Sequence, residues 1–376
     1  MEFPRTTTAI PLHRRRIPAI AVASILTVLA VVAGLLVVTA DADEKLYPTG
    51  PDVASWQHVD GAAINWSSVK YAGHDFAFVK STEGIGYVNP YFIVDSKQAA
   101  KNGMLVGSYH YARPAQDARM QAREYAASLV AQPQPSLPPV LDLEVSEGLT
   151  PSQLVDWTDT FLREIETLTG RQPMIYTYRY FWNVEMGNTT AFTDYPLWLA
   201  AYQDTAPTDI PGGWDFMTFW QQSDHATISG IPGATDYNIF NGTRGQLNDL
   251  VAGNNLSLGT IIEGNISSDR LVGTAMELKT FGENNRELVG AILAVAAGVI
   301  GIGALLTFAR SQGLDLGPAN QLVDYVQHLI ASGNLPIDDL KTMAAEGDYS
   351  VGDLLILLKN AEKLSHEIKR AQGEAG

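Results

Sequence analysis

Residues 138–145 read Pro-Pro-Val-Leu-Asp-Leu-Glu-Val, and this apolar stretch with two alternating acids decides the fold class. Alternation is typical of a β-strand, and it places Asp142 and Glu144 on one face with Cα atoms about 6.5–7 Å apart. Two carboxyls on one inward face repel each other and raise at least one pKa, which is what a general acid needs near neutral pH. The other interpretation is an edge strand whose acids lie in water.

Further apolar or β-branched runs flank this stretch on both sides and alternate with helical patterns. The predicted strands are 51–56, 75–80, 104–111, 138–145, 173–178, 196–202, 216–221 and 235–240, and the predicted helices are 90–102, 115–131 and 151–169. The last helix has Thr150 as its N-cap and ends before Gly170. This order predicts an α/β fold, an irregular eight-stranded (β/α) TIM-like barrel with its active site at the C-terminal ends of the strands.

Two long uncharged runs indicate transmembrane helices that flank the barrel. Residues 17–40 carry no charge and follow three arginines at positions 14–16, so they predict a signal-anchor with the basic N-terminus, residues 1–16, in the cytoplasm. Small residues around Ala40 leave cleavage of this segment open. Residues 288–309 form the second run, and a buried helix of a globular domain is the alternative there.

These runs divide the rest of the chain into three parts. They are a barrel at residues 45–252, a linker rich in Gly, Asn and Ser at 253–286, and a small helical C-terminal region at 311–376. With both runs spanning the cell membrane, the barrel lies on the extracytoplasmic side and the C-terminal region returns to the cytoplasm. The helical patterns of that region predict either a small bundle or a docking site for an unidentified partner.

The net charge of −16 is concentrated in the middle of the 376-residue chain. Residues 41–285 carry 14 basic and 29 acidic side chains, whereas phosphate contacts need clustered Lys and Arg. Nucleic acid is therefore excluded as a partner. The sequence predicts no metal and no cofactor, because the candidate histidines lack the HxxEH or His-x-His spacing of a metal site; they are His58, His74, His110 and His225.

Other acids and aromatic side chains lie near the ends of the predicted strands. Asp52 belongs to the first strand, and Asp236 belongs to the last strand. Flat rings at strand ends can stack on the faces of sugars, although aromatic residues in strands also pack in cores. The aromatic candidates for substrate binding are Trp56, Tyr109, Tyr111, Tyr178, Trp198, Tyr202 and Trp220.

Eight segments, taken in order, resemble glycoside hydrolase family 25, the Chalaropsis-type lysozymes. They are Asp52–Gln57, Phe76–Gly84, Gly107–Tyr111, Leu137–Glu144, Pro173–Thr177, Leu197–Tyr202, Trp220–Gln221 and Gly230–Asn238, within about residues 50–252. The resemblance implies a flattened eight-stranded barrel that hydrolyses the β-1,4 bond between N-acetylmuramic acid and N-acetylglucosamine in peptidoglycan. It implies Glu144 as the general acid with Asp142 beside it, and it matches Asp52 and Asp236 to acids of the first and last strands.

The resemblance leaves the mechanism open. A glycosidase pairs its acid with a nucleophile about 5–5.5 Å away, with a base about 6.5–9.5 Å away, or with the substrate's own acetamido group. Several acids on one face favour the third arrangement, in which Asp142 orients the acetamido group. The competing interpretation is a barrel that binds wall glycan without cutting it.

The expected partners are peptidoglycan glycan strands and membrane lipid. Two membrane segments favour a resident enzyme that remodels its own wall, because tethering confines the activity to the cell that makes it. Attack on other cells and a phage role stay open as alternatives.

Overall fold

The computed structural model describes residues 47–253, 285–314, 316–347 and 349–371, with side chains as far as residue 365. Three of the predicted segments lie outside these residues in whole or nearly so. They are the basic N-terminus at 1–16, the membrane segment at 17–40 and the linker at 253–286.

Eight of the nine strands in the described residues close into a barrel. The strands are β1 Thr49–Val53, β2 Phe76–Glu83, β3 Tyr87–Val88, β4 Leu105–Tyr111, β5 Val140–Asp142, β6 Met174–Tyr178, β7 Leu197–Ala200, β8 Phe219–Ala226 and β9 Thr235–Phe240. The order is β1-β2-β4-β5-β6-β7-β8-β9, and the ring closes because β1 pairs with both β2 and β9. Strand β3 is a short addition to β2. The predicted eight-stranded α/β barrel is confirmed, and each predicted strand overlaps an observed one.

Strand direction decides where the functional side chains meet. Neighbouring strands are parallel from β1 to β8, whereas β9 runs antiparallel to both β8 and β1. The start of β9 therefore lies at the same rim as the C-terminal ends of the parallel strands. In the β1–β9 pair, Asp52 lies directly opposite Asp236.

Short helices surround the barrel. They are α1 Trp66–Tyr71, α2 Phe92–Lys101, α3 Ala118–Leu129, α4 Pro151–Thr169, α5 Arg179–Val184 and α6 Arg244–Val251, with 3₁₀ turns at Ser55–Gln57, Val59–Gly61 and Pro211–Gly213. Helix α4 has the predicted bounds, because Thr150 forms a capping box with Gln153 and Gly170 ends the helix at φ 65°. Long aromatic side chains fill the barrel: the ring of Phe78 stacks on Trp198 with centroids 4.4 Å apart.

Between residues 285 and 371, the described part of the chain contains five helices, which are called here the C-terminal helices. They are α7 Arg286–Ala296, α8 Ile302–Ser311, α9 Leu316–Ser332, α10 Ile337–Glu346 and α11 Val351–Ala371. They pack on one another, α9 on α11 and α7 on α10, and α11 also contacts α5 of the barrel. The small bundle predicted for this region is present, and it also includes the apolar run at 288–309.

The prediction of one membrane-spanning helix at 288–309 is wrong. A turn at 297–301, with Gly298 at φ 70°, separates α7 from α8, and these helices have only 11 and 10 residues. A bilayer requires about 20 apolar residues in one helix. Among the described residues, no helix has both the length and the apolar character needed to cross a membrane. The run is apolar because its buried side chains, Leu288, Val289, Ile292, Leu305 and Ala309, pack in the C-terminal bundle.

If the barrel is exported, the prediction that residues 311–376 return to the cytoplasm is also wrong. Side chains of α11 form hydrogen bonds and ion pairs with acids of the barrel. Elements in such contact must lie on the same side of any membrane. These helices therefore contact the chain's own barrel, and an unidentified partner for them stays a prediction.

Candidate active site

Asp142 and Glu144 lie together at the C-terminal end of β5. Asp142 is the last residue of this strand, and the Leu143 amide still donates to the Tyr176 carbonyl at 2.9 Å, so the extended backbone continues to Glu144. Leu141 and Leu143 point into the core with no exposed surface, which leaves both acids on the opposite face. The two residues are 5% and 4% exposed. The strand thus carries two acids into a nearly dry site.

The two carboxyls differ in their preferred protonation. Burial and the charge of Glu144 raise the pKa of Asp142 well above its ordinary value. Burial also favours the neutral form of Glu144, but Lys363, Asn360 and Lys359 of α11 outweigh it and lower the pKa of Glu144. The directions of these shifts favour the protonated form of Asp142 and the ionised form of Glu144.

Asp52 is the third buried acid of the site. Its Oδ2 atom accepts hydrogen bonds from Gln221 Nε2 at 2.9 Å and from Asn238 Nδ2 at 2.8 Å. Burial and the charge of Asp236 raise the pKa of Asp52 to about 7. A carboxyl of this kind can hold or release a proton near neutral pH.

Gln221 links the acids to the tyrosines of the site. Its Oε1 atom accepts from the hydroxyls of Tyr176 at 2.7 Å and Tyr202 at 3.1 Å, while its amide group donates to Asp52. Gln221 and Asn238 have no role assigned from the sequence, although both belong to segments that carry the family resemblance. The signal that could have found them is their position on β8 and β9, facing the acid of β1.

Asp236 and Asp224 form the other side of the site. Lys359 Nζ lies 3.0 Å from Asp236 Oδ1 and 3.7 Å from Asp224 Oδ2. Burial raises the pKa of Asp236 and Lys359 partly offsets that rise, while for Asp224 the nearby Lys359 and His225 outweigh burial and lower the pKa. The rim bounded by Asp52, Asp142, Glu144 and Asp236 is called here the acidic groove.

The aromatic candidates occupy two kinds of position. Trp56 is 69% exposed, whereas the other six are buried: Tyr109, Tyr111, Tyr178, Trp198, Tyr202 and Trp220. The Trp198 ring packs on Phe78 in the core and its N–H donates to Asn238 at 2.8 Å. The Trp220 N–H donates to the Ala201 carbonyl at 2.7 Å. These two indoles hold backbone and amide groups in place, and sugar stacking by the seven rings stays a prediction.

Two buried polar atoms of the groove have no hydrogen-bond partner in the described part of the chain. They are Asp142 Oδ1 and the hydroxyl of Tyr111. Buried polar atoms in native proteins nearly always have a hydrogen-bond partner, so these two atoms are available to a bound molecule or to water. Both can bind polar groups of a sugar.

The histidines singled out in the sequence have other partners. His58 bonds to Asp95 at 2.8 Å, His110 lies between Thr82 and Gln121, and His225 contacts Asp224. Across residues 47–253 and the described C-terminal helices, no three His, Cys, Asp or Glu side chains are grouped so that they could hold a metal ion.

Comparison with known proteins gives consistent matches over the barrel. The family model for glycosyl hydrolases family 25 matches residues 51–231. Lysozyme M1 of Streptomyces globisporus is 35% identical over 208 residues, which are 53% of this chain and 69% of that protein. The N,O-diacetylmuramidase of a Chalaropsis species is 33% identical over 54% of this chain and 99% of its own length. The crystal structure of the bacterial lysozyme from Streptomyces coelicolor matches with a TM-score of 0.50 and 34% identity, over 55% of this chain and 97% of that one.

Proposed function

Because this chain belongs to glycosyl hydrolases family 25, we propose that its barrel hydrolyses the β-1,4 bond between N-acetylmuramic acid and N-acetylglucosamine in peptidoglycan. The observation that carries the proposal is the buried pair Asp142 and Glu144 at the end of β5, with Asp52 and Asp236 across the groove. A glycosidase needs two carboxyls that differ in protonation. With α11 in place, the pKa of Asp142 is raised, whereas Lys363, Asn360 and Lys359 of α11 lower the pKa of Glu144. The relatives named lysozyme and N,O-diacetylmuramidase support this substrate.

Glu144 acts as the general acid in this proposal. It protonates the glycosidic oxygen and then activates water as the general base. Asp142 orients the acetamido group of the sugar through its unpartnered Oδ1 atom, so that the acetamido oxygen attacks the anomeric carbon. Asp52, fixed by Gln221 and Asn238, and Asp236 stabilise the positive charge that develops on the sugar.

Digestion of purified peptidoglycan by the full chain, followed by mass analysis of the products, tests the proposal. Muropeptides with reducing muramic acid ends are the expected result, whereas reducing glucosamine ends would assign the enzyme to the other bond of the strand. Glycan binding without any product would favour the binding module instead.

Variants test the roles of single residues. We expect Glu144→Gln to lower the turnover number at least 100-fold, because general acid catalysis contributes roughly 10²–10⁴. The matched control is Glu166→Gln, which changes an exposed glutamate on α4 in the same way. Retention of the anomeric configuration in the product agrees with acetamido participation, and inversion would contradict the role given to Asp142.

The proposal extends to location. Residues 17–40 anchor the chain in the cell membrane and place the barrel, with the C-terminal helices beside it, on the extracytoplasmic (cell-wall) side. The support is the 24-residue uncharged run with three arginines before it. Replacing Leu29 and Leu35 by Arg should move the protein from carbonate-washed membranes to the soluble fraction; a wild-type chain that is already soluble would refute the anchor.

A further inference from the structure

Helix α11 lies over the acidic groove and meets its acids with complementary side chains. Asn360 Nδ2 donates to Glu144 Oε2 at 2.8 Å, and Lys363 Nζ lies 3.4 Å from Glu144 Oε1. Lys359 Nζ reaches Asp236 at 3.0 Å and the Tyr202 hydroxyl at 3.4 Å. One face of one helix thus supplies an amide and two ammonium groups to both sides of the groove.

The contact is close as well as charged. A Cβ atom at Gly352, in the first turn of α11, would lie only 2.4 Å from the carbonyl oxygen of Tyr202, so the helix backbone touches the barrel backbone. The side chains of Leu354, Leu355 and Leu358 are fully buried.

Further polar contacts join the C-terminal helices to the barrel beside the groove. Arg179 on α5 lies 3.3 Å from Asp353 of α11, and the Tyr180 hydroxyl donates to Asp339 of α10 at 3.0 Å. Gln321 of α9 donates to Asp224 in the groove at 3.2 Å. Three of the five C-terminal helices therefore contact the barrel through polar side chains.

With α11 in place, a small cavity remains beside Glu144, and Asp52, Asp142 and Asp236 do not line it. Its volume is about 200 Å³, and it is lined by barrel residues such as Tyr178 and by Asn360 and Leu364 of α11. Pockets that hold ligands of drug size occupy roughly 300–1,000 Å³. A glycan placed for cleavage needs a sugar on each side of the scissile bond, and α11 occupies that path.

We propose that α11 is an autoinhibitory plug: the C-terminal helices close the groove of this chain's own barrel, and glycan reaches Glu144 only when α11 has moved away. This inference rests on the proposed function, since it names the control of the same site. In the closed state, Glu144 is bound on both carboxyl oxygens by groups that take the place of substrate.

The plug also favours the ionised form of Glu144, which is not the form that a general acid needs. A general acid must carry a proton before it meets the glycosidic oxygen. Burial favours that proton on Glu144, whereas Lys363, Asn360 and Lys359 lower its pKa and keep the carboxylate ionised. When α11 leaves, those three groups leave with it. Closure therefore blocks the groove and adds three groups that favour the ionised form of Glu144.

Two variants of the full chain displace α11 by different physical means. Lys359→Glu with Lys363→Glu places negative charges against Asp236 and Glu144. Gly352→Val forces β-branched bulk against the Tyr202 backbone without changing any charge. The controls are matched. Lys341→Glu replaces an exposed lysine of α10, and Gly317→Val replaces the second residue of α9, where a Cβ meets nothing within 4 Å.

Each variant is measured for amide hydrogen exchange in residues 351–365 and for release of reducing ends from purified peptidoglycan. For both displacing variants we expect faster hydrogen exchange and at least a tenfold higher rate of reducing-end release. A tenfold change corresponds to about 1.4 kcal/mol less free energy of closure. The controls should have wild-type values.

Four outcomes overturn the plug. Unchanged exchange in both displacing variants would show that these contacts do not hold α11. Faster exchange with wild-type activity would refute inhibition and leave the proposed function standing. Faster exchange with lower activity would make α11 a part of the active site. No products from any chain, with α11 displaced, would refute the proposed function and the inhibition together.

Discussion

Replacing the buried acid Asp52 by Asn should change how the stability of the protein depends on pH. Burial and the neighbouring Asp236 raise the pKa of Asp52 from 3.8 to about 7, while Lys359 and the two amide donors only partly offset that rise. The unfolded chain therefore releases this proton near pH 4, whereas the folded chain keeps it until about pH 7. Between these values the unfolded state binds fewer protons, so this group makes the free energy of unfolding fall as pH rises.

The size of the effect follows from that pKa difference. At about 1.4 kcal/mol per pH unit, the window from pH 4 to pH 7 corresponds to about 4 kcal/mol. Asn is neutral and has nearly the shape of a protonated Asp, and its Oδ1 atom can still accept from Gln221 and Asn238. The variant should match the wild type at pH 4 and exceed its stability above pH 7.

Urea unfolding of both chains at several pH values from 4 to 8.5 measures the difference. With an m-value of about 3 kcal/mol per molar urea, the midpoint of the variant should lie on the order of 1 M higher at pH 8. Asp156→Asn, on an exposed position of α4, is the control and should show no such trend. A difference between Asp52→Asn and wild type that is the same at every pH, or a less stable variant at pH 8, would refute the reasoning.

Three further substitutions test the substrate contact, the barrel packing and a helix cap. Trp56→Ala should raise the KM for peptidoglycan and leave the melting temperature unchanged, because the ring is 69% exposed. Tyr71→Ala, at a ring that is 96% exposed, is the control. A Trp56→Ala variant with the KM of the wild type would exclude the contact. Gly107→Ala should lower stability by roughly 1–3 kcal/mol in thermal unfolding, since its Cβ would lie 2.3 Å from the Phe78 ring; an unchanged midpoint would contradict this close packing. Thr150→Ala should cost about 1 kcal/mol by loss of the α4 cap, measured in urea, and no loss would show that Gln153 alone suffices.

The barrel and the position of its acids could be predicted from the sequence because each rests on a local pattern. The alternation of residues 138–145 fixes the faces of Asp142 and Glu144, and a capping box with a terminal glycine fixes α4. The opposite direction of β9 has no such local signal. It depends on pairing with β1 and β8, and that pairing brings Asp236 to the groove.

The C-terminal helices could not be predicted in the same way. The run at 288–309 has the composition of a membrane span, and hydropathy alone does not distinguish lipid from the interior of a helical bundle. The turn at Gly298 becomes evident only in three dimensions. A weak signal was present in α11, where Lys359 and Lys363 lie four residues apart on one helical face of a chain whose middle section has an excess of acids.

The place of α11 in chain order gives the plug a genetic and a temporal consequence. The ribosome completes every barrel strand before residue 253, but it adds α11 about 100 residues later, which at roughly 5–20 residues per second takes some 5–20 seconds. Nonsense or frameshift mutations between the barrel and residue 351 would then yield an open enzyme. Selection against such alleles would reflect a toxic gain of function. In an exported chain, α11 would also need to be made and packed on the barrel before the open groove met the wall.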